Sequence, residues 1–212
     1  MATFGAQITD LVGGSIDQTA CDQWAVNGSR EIINSLPSNL LEHCADKSSD
    51  ITSSSGLALG GAVGKILYVT RLDGSYEQPC RLLLGSQGDL ADDSTAVSYY
   101  ATSNDPAYFI RDNTIFVKPN PTASLPGRVY YLNLPTSIDV SADSAITNFP
   151  DEAEYLVVLY AAIQQLAQYM ADEVSNEDSE LYALHSDRYT KLSAEYQKGL
   201  AFLSGAATSR GR

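Results

Sequence analysis

The residues of this chain that could do chemistry are few: His43, His185, Cys21, Cys44, Cys80 and several pairs of adjacent carboxylates. His43 and Cys44 are neighbours on a short helical pattern, and adjacent residues on a helix face different ways. No H-x-x-x-H or C-x-x-C spacing accompanies them, so no zinc ligand set is expected. His185 lies beside Leu181, Leu184 and Tyr189 and reads as a packed or surface histidine. Asp92-Asp93, Asp151-Glu152, Asp172-Glu173 and Glu177-Asp178 fall at turns and helix ends, where carboxylates cap and solvate. General acid–base work needs them in a cleft with separated environments. The run G-L-A-L-G-G-A-V-G-K-I suggests a phosphate loop, but Leu59 stands where the first glycine is needed and Ile66 where Ser or Thr is needed. No G-x-S-x-G elbow is present. The expectation is a chain with no catalytic, cofactor-binding or metal residues and no cofactor: not an enzyme but a structural, assembling protein.

Composition narrows the class further. The 212 residues carry 26 acidic and 13 basic side chains, a formal charge of −13. Such a chain does not grip nucleic-acid phosphates in general, although DNA can pass it without sticking. An odd number of widely spaced cysteines fits a reducing cytoplasm. The segment M-A-T-F-G-A-Q-I-T-D lacks a basic n-region and an apolar h-region, so no secretory signal is expected. Gln164, Gln165 and Gln168 interrupt the densest apolar stretch, which argues against a membrane span.

The elements follow from periodicity. Residues 3–12 predict a short helix stopped by Gly13-Gly14. Residues 17–36 predict a longer one capped by Asp17 and ended by Pro37, and Ser38 is placed to cap a third. A serine-rich stretch to Gly56 reads as a loop. From Gly60 the pattern turns to strands, with a hairpin signal at Asp73-Gly74. A second hairpin, P-A-Y-F-I-R and T-I-F-V-K around Asp112-Asn113, should pair Ile110 with Ile115, Tyr108 with Val117, and Phe109 with Phe116. Arg128–Leu134 gives a further strand. Asn148, Pro150 and the acids after it announce a long helix that is apolar on most sides, and a second helix follows the acidic break S-N-E-D-S-E. The fold expected is α+β: a helical bundle, made of N-terminal helices and a C-terminal helical hairpin, with an inserted antiparallel β module. The boundaries expected are 1–59 for the N-terminal helices and serine-rich loop and 60–147 for the β module. The helical hairpin is expected at 148–204 and a flexible tail at 205–212.

Charge and tyrosine placement bear on assembly. Between Arg128 and Arg188 there is no Lys or Arg, while acids recur throughout. Besides ordinary solvated helix ends, this span fits a one-sign surface that would repel a polyanion if repeated around a ring. Asp151, Glu152, Glu154, Asp172 and Glu173 are the candidates for that channel-facing surface. Thirteen tyrosines suit surfaces dry on one side and wet on the other. An apolar helix needs cover, and a neighbouring subunit could supply part of it through Tyr155, Leu159, Ile163 and Leu166. Arg210 and Arg212 suit docking onto an acidic partner.

Three pieces, N-D-P-A-Y-F-I-R-D-N-T-I-F-V-K-P-N-P, G-R-V-Y-Y-L-N-L-P-T and F-P-D-E-A-E-Y-L-V-V-L-Y-A-A, carry a resemblance. Over roughly residues 100–200 the chain resembles the head–tail adaptor (connector) proteins of the tailed-phage neck. The resemblance implies a structural virion protein that forms a homo-oligomeric ring of roughly twelve copies. It implies docking under the portal protein, extension of the DNA channel without specific DNA binding, and a link from capsid to a downstream neck or tail protein. It places the chain in the virion neck, assembled in the host cytoplasm and not in a membrane. It makes the segment from Ser204 through Thr208, Arg210 and Arg212 the portal-docking tail. Another virion component, such as a stopper, tail-tube or decoration protein, is the alternative. The β module is larger than in the smallest all-helical connectors.

Overall fold

The computed structural model describes residues 2–209, the side chains of 206–209 aside. The chain divides into two compact units: a helical unit of residues 1–44 and 134–212, and a β unit of residues 45–133. The class is α+β.

In the helical unit, α1 (Phe4–Val12) begins where the Thr3 hydroxyl accepts the Ala6 N–H at 3.3 Å. It ends at Gly13, whose φ of 75° places it in the left-handed region while its N–H donates to the Thr9 carbonyl. Phe4, Ile8 and Val12, four residues apart, form its buried face. The second helix, α2 (Gln18–Ser35), is capped as expected by Asp17, whose carboxylate accepts the Ala20 N–H at 3.1 Å. Its buried stripe runs through Cys21, Ala25, Gly28 and Ile32. The short α3 (Ser38–Leu41) has Pro37 at its cap position and no side-chain cap, so Ser38 opens the helix and does not cap it.

Two long helices complete the unit: α4 (Asp151–Asn176) and α5 (Ser179–Ser209). At 26 residues, α4 is about 39 Å long. Asn148 does not cap it. Its φ of 54° turns the chain left-handed, Pro150 takes the cap position, and no side-chain cap bond forms. The reversal at the other end is tight. Glu177, φ 60°, sends its N–H back to the Glu173 and Val174 carbonyls, and Asp178 then caps α5 by accepting the Leu181 N–H at 3.1 Å.

Residues 134–147, expected in the β module, belong to the helical unit. The reason is backbone pairing with the helix ends. The Gly5 N–H donates to Val140 O at 2.6 Å and the Phe4 N–H to Asp143 O at 2.9 Å. The Val140 N–H donates to the Asp22 carboxylate at 2.8 Å.

The β unit starts earlier than Gly60. Its strands are β1 (Ala45–Lys47), β2 (Leu57–Ala58), β3 (Val63–Asp73), β4 (Tyr76–Pro79), β5 (Arg81–Leu82), β6 (Ala107–Arg111), β7 (Thr114–Lys118) and β8 (Gly127–Asn133). They form two sheets, ordered β1-β8-β3-β4 and β2-β7-β6-β5. The two ends of the serine-rich stretch thus adjoin an edge strand of each sheet. Ile51, Val69, Ile115, Val117 and Val129 fill one core. Leu83, Ala91, Ala101, Ala107 and Phe109 fill a second under the 3₁₀ segment Gly85–Asp92. The β6–β7 register is the expected one, and both turn residues have the positive φ of a type I′ turn, 48° at Asp112 and 57° at Asn113. In the β3–β4 hairpin the two-residue loop is Gly74-Ser75, one residue later than expected, because Asp73 pairs with Tyr76.

Candidate functional site

The helical hairpin of α4 and α5 is the candidate site, and α1 and α2 hold it. α4 packs on α5, α2 and α1. Its buried arc includes Ala153, Leu156, Val157, Leu159, Ala162 and Leu166. Against α2, the Tyr160 ring lies where a Gly28 side chain would be. Gln165, fully buried, accepts the Asp17 N–H at 2.8 Å, and the Cys21 thiol approaches the same oxygen at 3.6 Å. Against α5, Leu156 fills the space over Gly199, and Tyr160 meets Tyr196 with ring centroids 5.9 Å apart. The Tyr196 hydroxyl donates to Glu31 on α2 at 3.1 Å, and burial first, then the Glu31 charge, pushes its pKa up. Arg188 donates to the Val12 carbonyl, placing a positive charge at the C-terminal end of α1.

These close approaches make a prediction. In an exposed helix alanine is better than glycine by about 1 kcal/mol. At Gly28 a Cβ would lie 2.8 Å from Tyr160 Cγ and Cδ1, near the stem of the ring, where it has no room to yield. Gly28→Ala is therefore expected to destabilise by about 1–2 kcal/mol net, read as a lower urea midpoint at unchanged m.

The residues singled out from the sequence fare differently. Leu159, Ile163 and Leu166 are buried against this chain's own helices. Tyr155 is exposed, its hydroxyl donating to Glu195 at 3.2 Å. Asp151, Glu152 and Asp172 are exposed. Glu154 is half-buried and accepts the Ile146 N–H at 2.7 Å. Glu173 is buried, 8% exposed, with Oε1 2.6 Å from His185 Nδ1, so it is a link between α4 and α5 and not a channel-facing acid. The Tyr169 ring packs beside His185. Ser204 is exposed and donates to the Ala201 carbonyl at 2.9 Å. It lies within α5, which continues to Ser209 where a flexible tail was expected. The Thr208 side chain, Arg210 and Arg212 lie outside the described residues.

Sequence reasoning passed over Phe202, which is 73% exposed. The signal was available: Leu192, Tyr196, Gly199 and Leu203 make the inward stripe of α5, and Phe202 falls outside it. Phe202, Tyr155, Leu156, Leu159, Lys198 and Gly199 border a groove of about 300 Å³ between the start of α4 and the end of α5.

Chemistry is sparse in this arrangement. Among the described residues no group of three or more His, Cys, Asp or Glu side chains is placed to hold a metal ion. No helix among them is long and apolar enough to cross a membrane. The thiols are unpaired. Burial lifts them from an ordinary 9.0 to about 12 at Cys21, about 11 at Cys44 and about 12 at Cys80. At Cys21 the Asp17 and Asp22 charges add to the rise, and at Cys80 Arg71 opposes it. A raised folded-state value favours the neutral thiol. Its stabilisation is complete below pH 9 and is lost as pH rises toward the folded values. At pH 8 the native protein is expected to leave its thiols unreacted with an aromatic disulfide reagent, while denatured protein reacts fully. Absorbance of the released thiolate measures both.

The chain is α+β, and its exposed features include apolar grooves and acidic helix ends. A sequence model described as SU10 adaptor protein matches residues 6–210, and the chain belongs to that phage head–tail adaptor family. No curated protein matches the chain.

Proposed function

We propose that the chain forms a ring that docks under the portal, extends the DNA channel and links the capsid to the next neck or tail protein. Family membership supports the adaptor role, and the exposed Phe202–Tyr155 groove is the observation that favours a ring. Phe202 and Tyr155 border one apolar groove with Leu156 and Leu159, and such a contiguous patch suits a subunit contact. In this reading the interface moves from Leu159, Ile163 and Leu166 to Tyr155 and Phe202. Asp151, Glu152 and Asp172 remain the candidates to face DNA, since a one-sign lining repels a polyanion and lets it slide. The end of α5 with Ser204, Thr208, Arg210 and Arg212 is the portal-docking segment. The ring contains roughly twelve copies, matching a portal of the same symmetry.

The test is native mass and image class averages of the chain alone and mixed with its portal. Rings that form on the portal, with the order of the portal, support the reading. A chain that instead decorates the capsid shell or stacks into a tube on its own overturns it.

A further inference from the structure

The far end of the hairpin, where α4 turns into α5, is bare. Residues 179–184 of α5 are all exposed, yet they include Leu181, Tyr182 and Leu184, and Val174 at the end of α4 is 65% exposed. A cavity of about 250 Å³ opens at the turn between Val174, Glu177, Ser179 and Tyr182, and the surface it shows is almost wholly apolar. An apolar cavity of about 150 Å³ already takes a benzene ring. At the other end of the hairpin Phe202 is the barest large apolar side chain among the described residues of the helical unit. The free charges at the two ends are opposite. The lysines of the helical unit are Lys191 and Lys198. Lys191 is held by Asp187, whereas Lys198, on the wall of the Phe202 groove, has no carboxylate partner among the described residues. Glu195, the acid of that groove, is taken by the Tyr155 hydroxyl. At the tip, Glu177 and Glu180 are exposed and meet no cation among the described residues.

We infer that the tip of one hairpin docks on the Phe202 end of the hairpin in a second copy. The Phe202 ring enters the cavity between Val174 and Tyr182, Lys198 meets Glu177, and Leu181 and Leu184 rest on the groove beside Tyr155. Both bare surfaces are then covered by one contact, with the free lysine against the free acids. Two Phe202 ends placed face to face would instead leave the tip bare and set lysine against lysine. Tyr182 and Phe202 lie about 30 Å apart along α5, so a copy cannot cover its own tip. Each copy gives its Phe202 end to one neighbour and its tip to another, and a head-to-tail contact of this kind closes into a ring where the rotation allows. The contact rests on the ring reading and supplies what fills the groove in it.

Ser179→Cys and Ala201→Cys change exposed positions at the two ends of the hairpin. The full chain carrying both is assembled on the portal, mildly oxidised and run on a non-reducing gel, with the wild type as control for the native thiols. The expected result is a ladder of trimers and longer species from the double variant, dimers when the two single variants are mixed, and monomers from either alone. In the double-cysteine chain, Lys198→Glu is expected to cut the ladder about tenfold or more, and Glu177→Lys added to it to bring the ladder back. Dimers from Ala201→Cys alone overturn the inference, because two Phe202 ends then face each other. Rings without a ladder overturn this contact and leave the ring reading standing, whereas no rings from the wild type overturn both.

Discussion

Leu166→Ala is expected to remove about 2–5 kcal/mol of stability, the range for emptying a fully buried leucine site. Leu166 has no exposed surface. It sits one residue after Gln165, whose hydrogen bond to the Asp17 N–H fixes α2 against α4, so the surrounding helices have little freedom to collapse into the space. Domains hold about 5–15 kcal/mol in all, so a loss of this size takes a large part of the total. Urea denaturation followed by helical circular dichroism measures it. A loss below about 1 kcal/mol would mean that α4 is less tightly held than its burial indicates. The same experiment separates fold from assembly, because Leu166 reaches no outer surface.

Phe202→Asp is expected to do the opposite: leave the stability within about 0.5 kcal/mol of the wild type and abolish rings. Phe202 is mostly in solvent, so its loss removes little packing. In an assembled ring its replacement sets a carboxylate in an apolar groove that already holds Glu195. Losing a central aromatic anchor costs about 2 kcal/mol or more, roughly thirtyfold at each contact, and each subunit in a ring has two. Sedimentation of the variant with the portal reads the outcome. Wild-type ring yields would move the subunit interface elsewhere, and Tyr155 with it.

How much was legible beforehand depended on whether the signal was local. The hairpin of β6 and β7 was readable because alternation and an Asp-Asn turn fix its register without help from the rest of the chain. α4 was readable as a helix and as one needing cover on several sides. That the N-terminal helices and α5 share in covering it was expected; which of their faces meet it was not, because α1 and α2 lie far away in sequence and nothing in their own patterns sets the register. Glu173 looked like a surface acid, and His185 was open between packed and surface, for the same reason: their contact depends on the register between two helices, set at the Glu177 turn. The strands at either end of the serine-rich stretch were missed because each has only two or three residues, too few to alternate, and is held by backbone pairing. The end of α5 was misjudged because G-A-A-T-S after Leu203 has no apolar period. Alanine carries a helix on intrinsic preference alone, and that preference suffices to extend one already packed.

The β unit lies between the two halves of the helical unit in the sequence, and this has a consequence for synthesis on the ribosome. Residues 45–133 hold both of their own cores and can fold while the chain is still growing. The N-terminal helices emerge first but must wait longest. The Asp17 N–H meets its acceptor on Gln165 only 148 residues later. Until α4 arrives, α1 and α2 lack the long helix that both pack against. A chain broken off before α4 therefore yields a finished β unit and no helical unit. It lacks the Phe202 groove as well, so in the proposed ring an unfinished copy has no contact to offer, and the order of translation would act as a check on which molecules assemble.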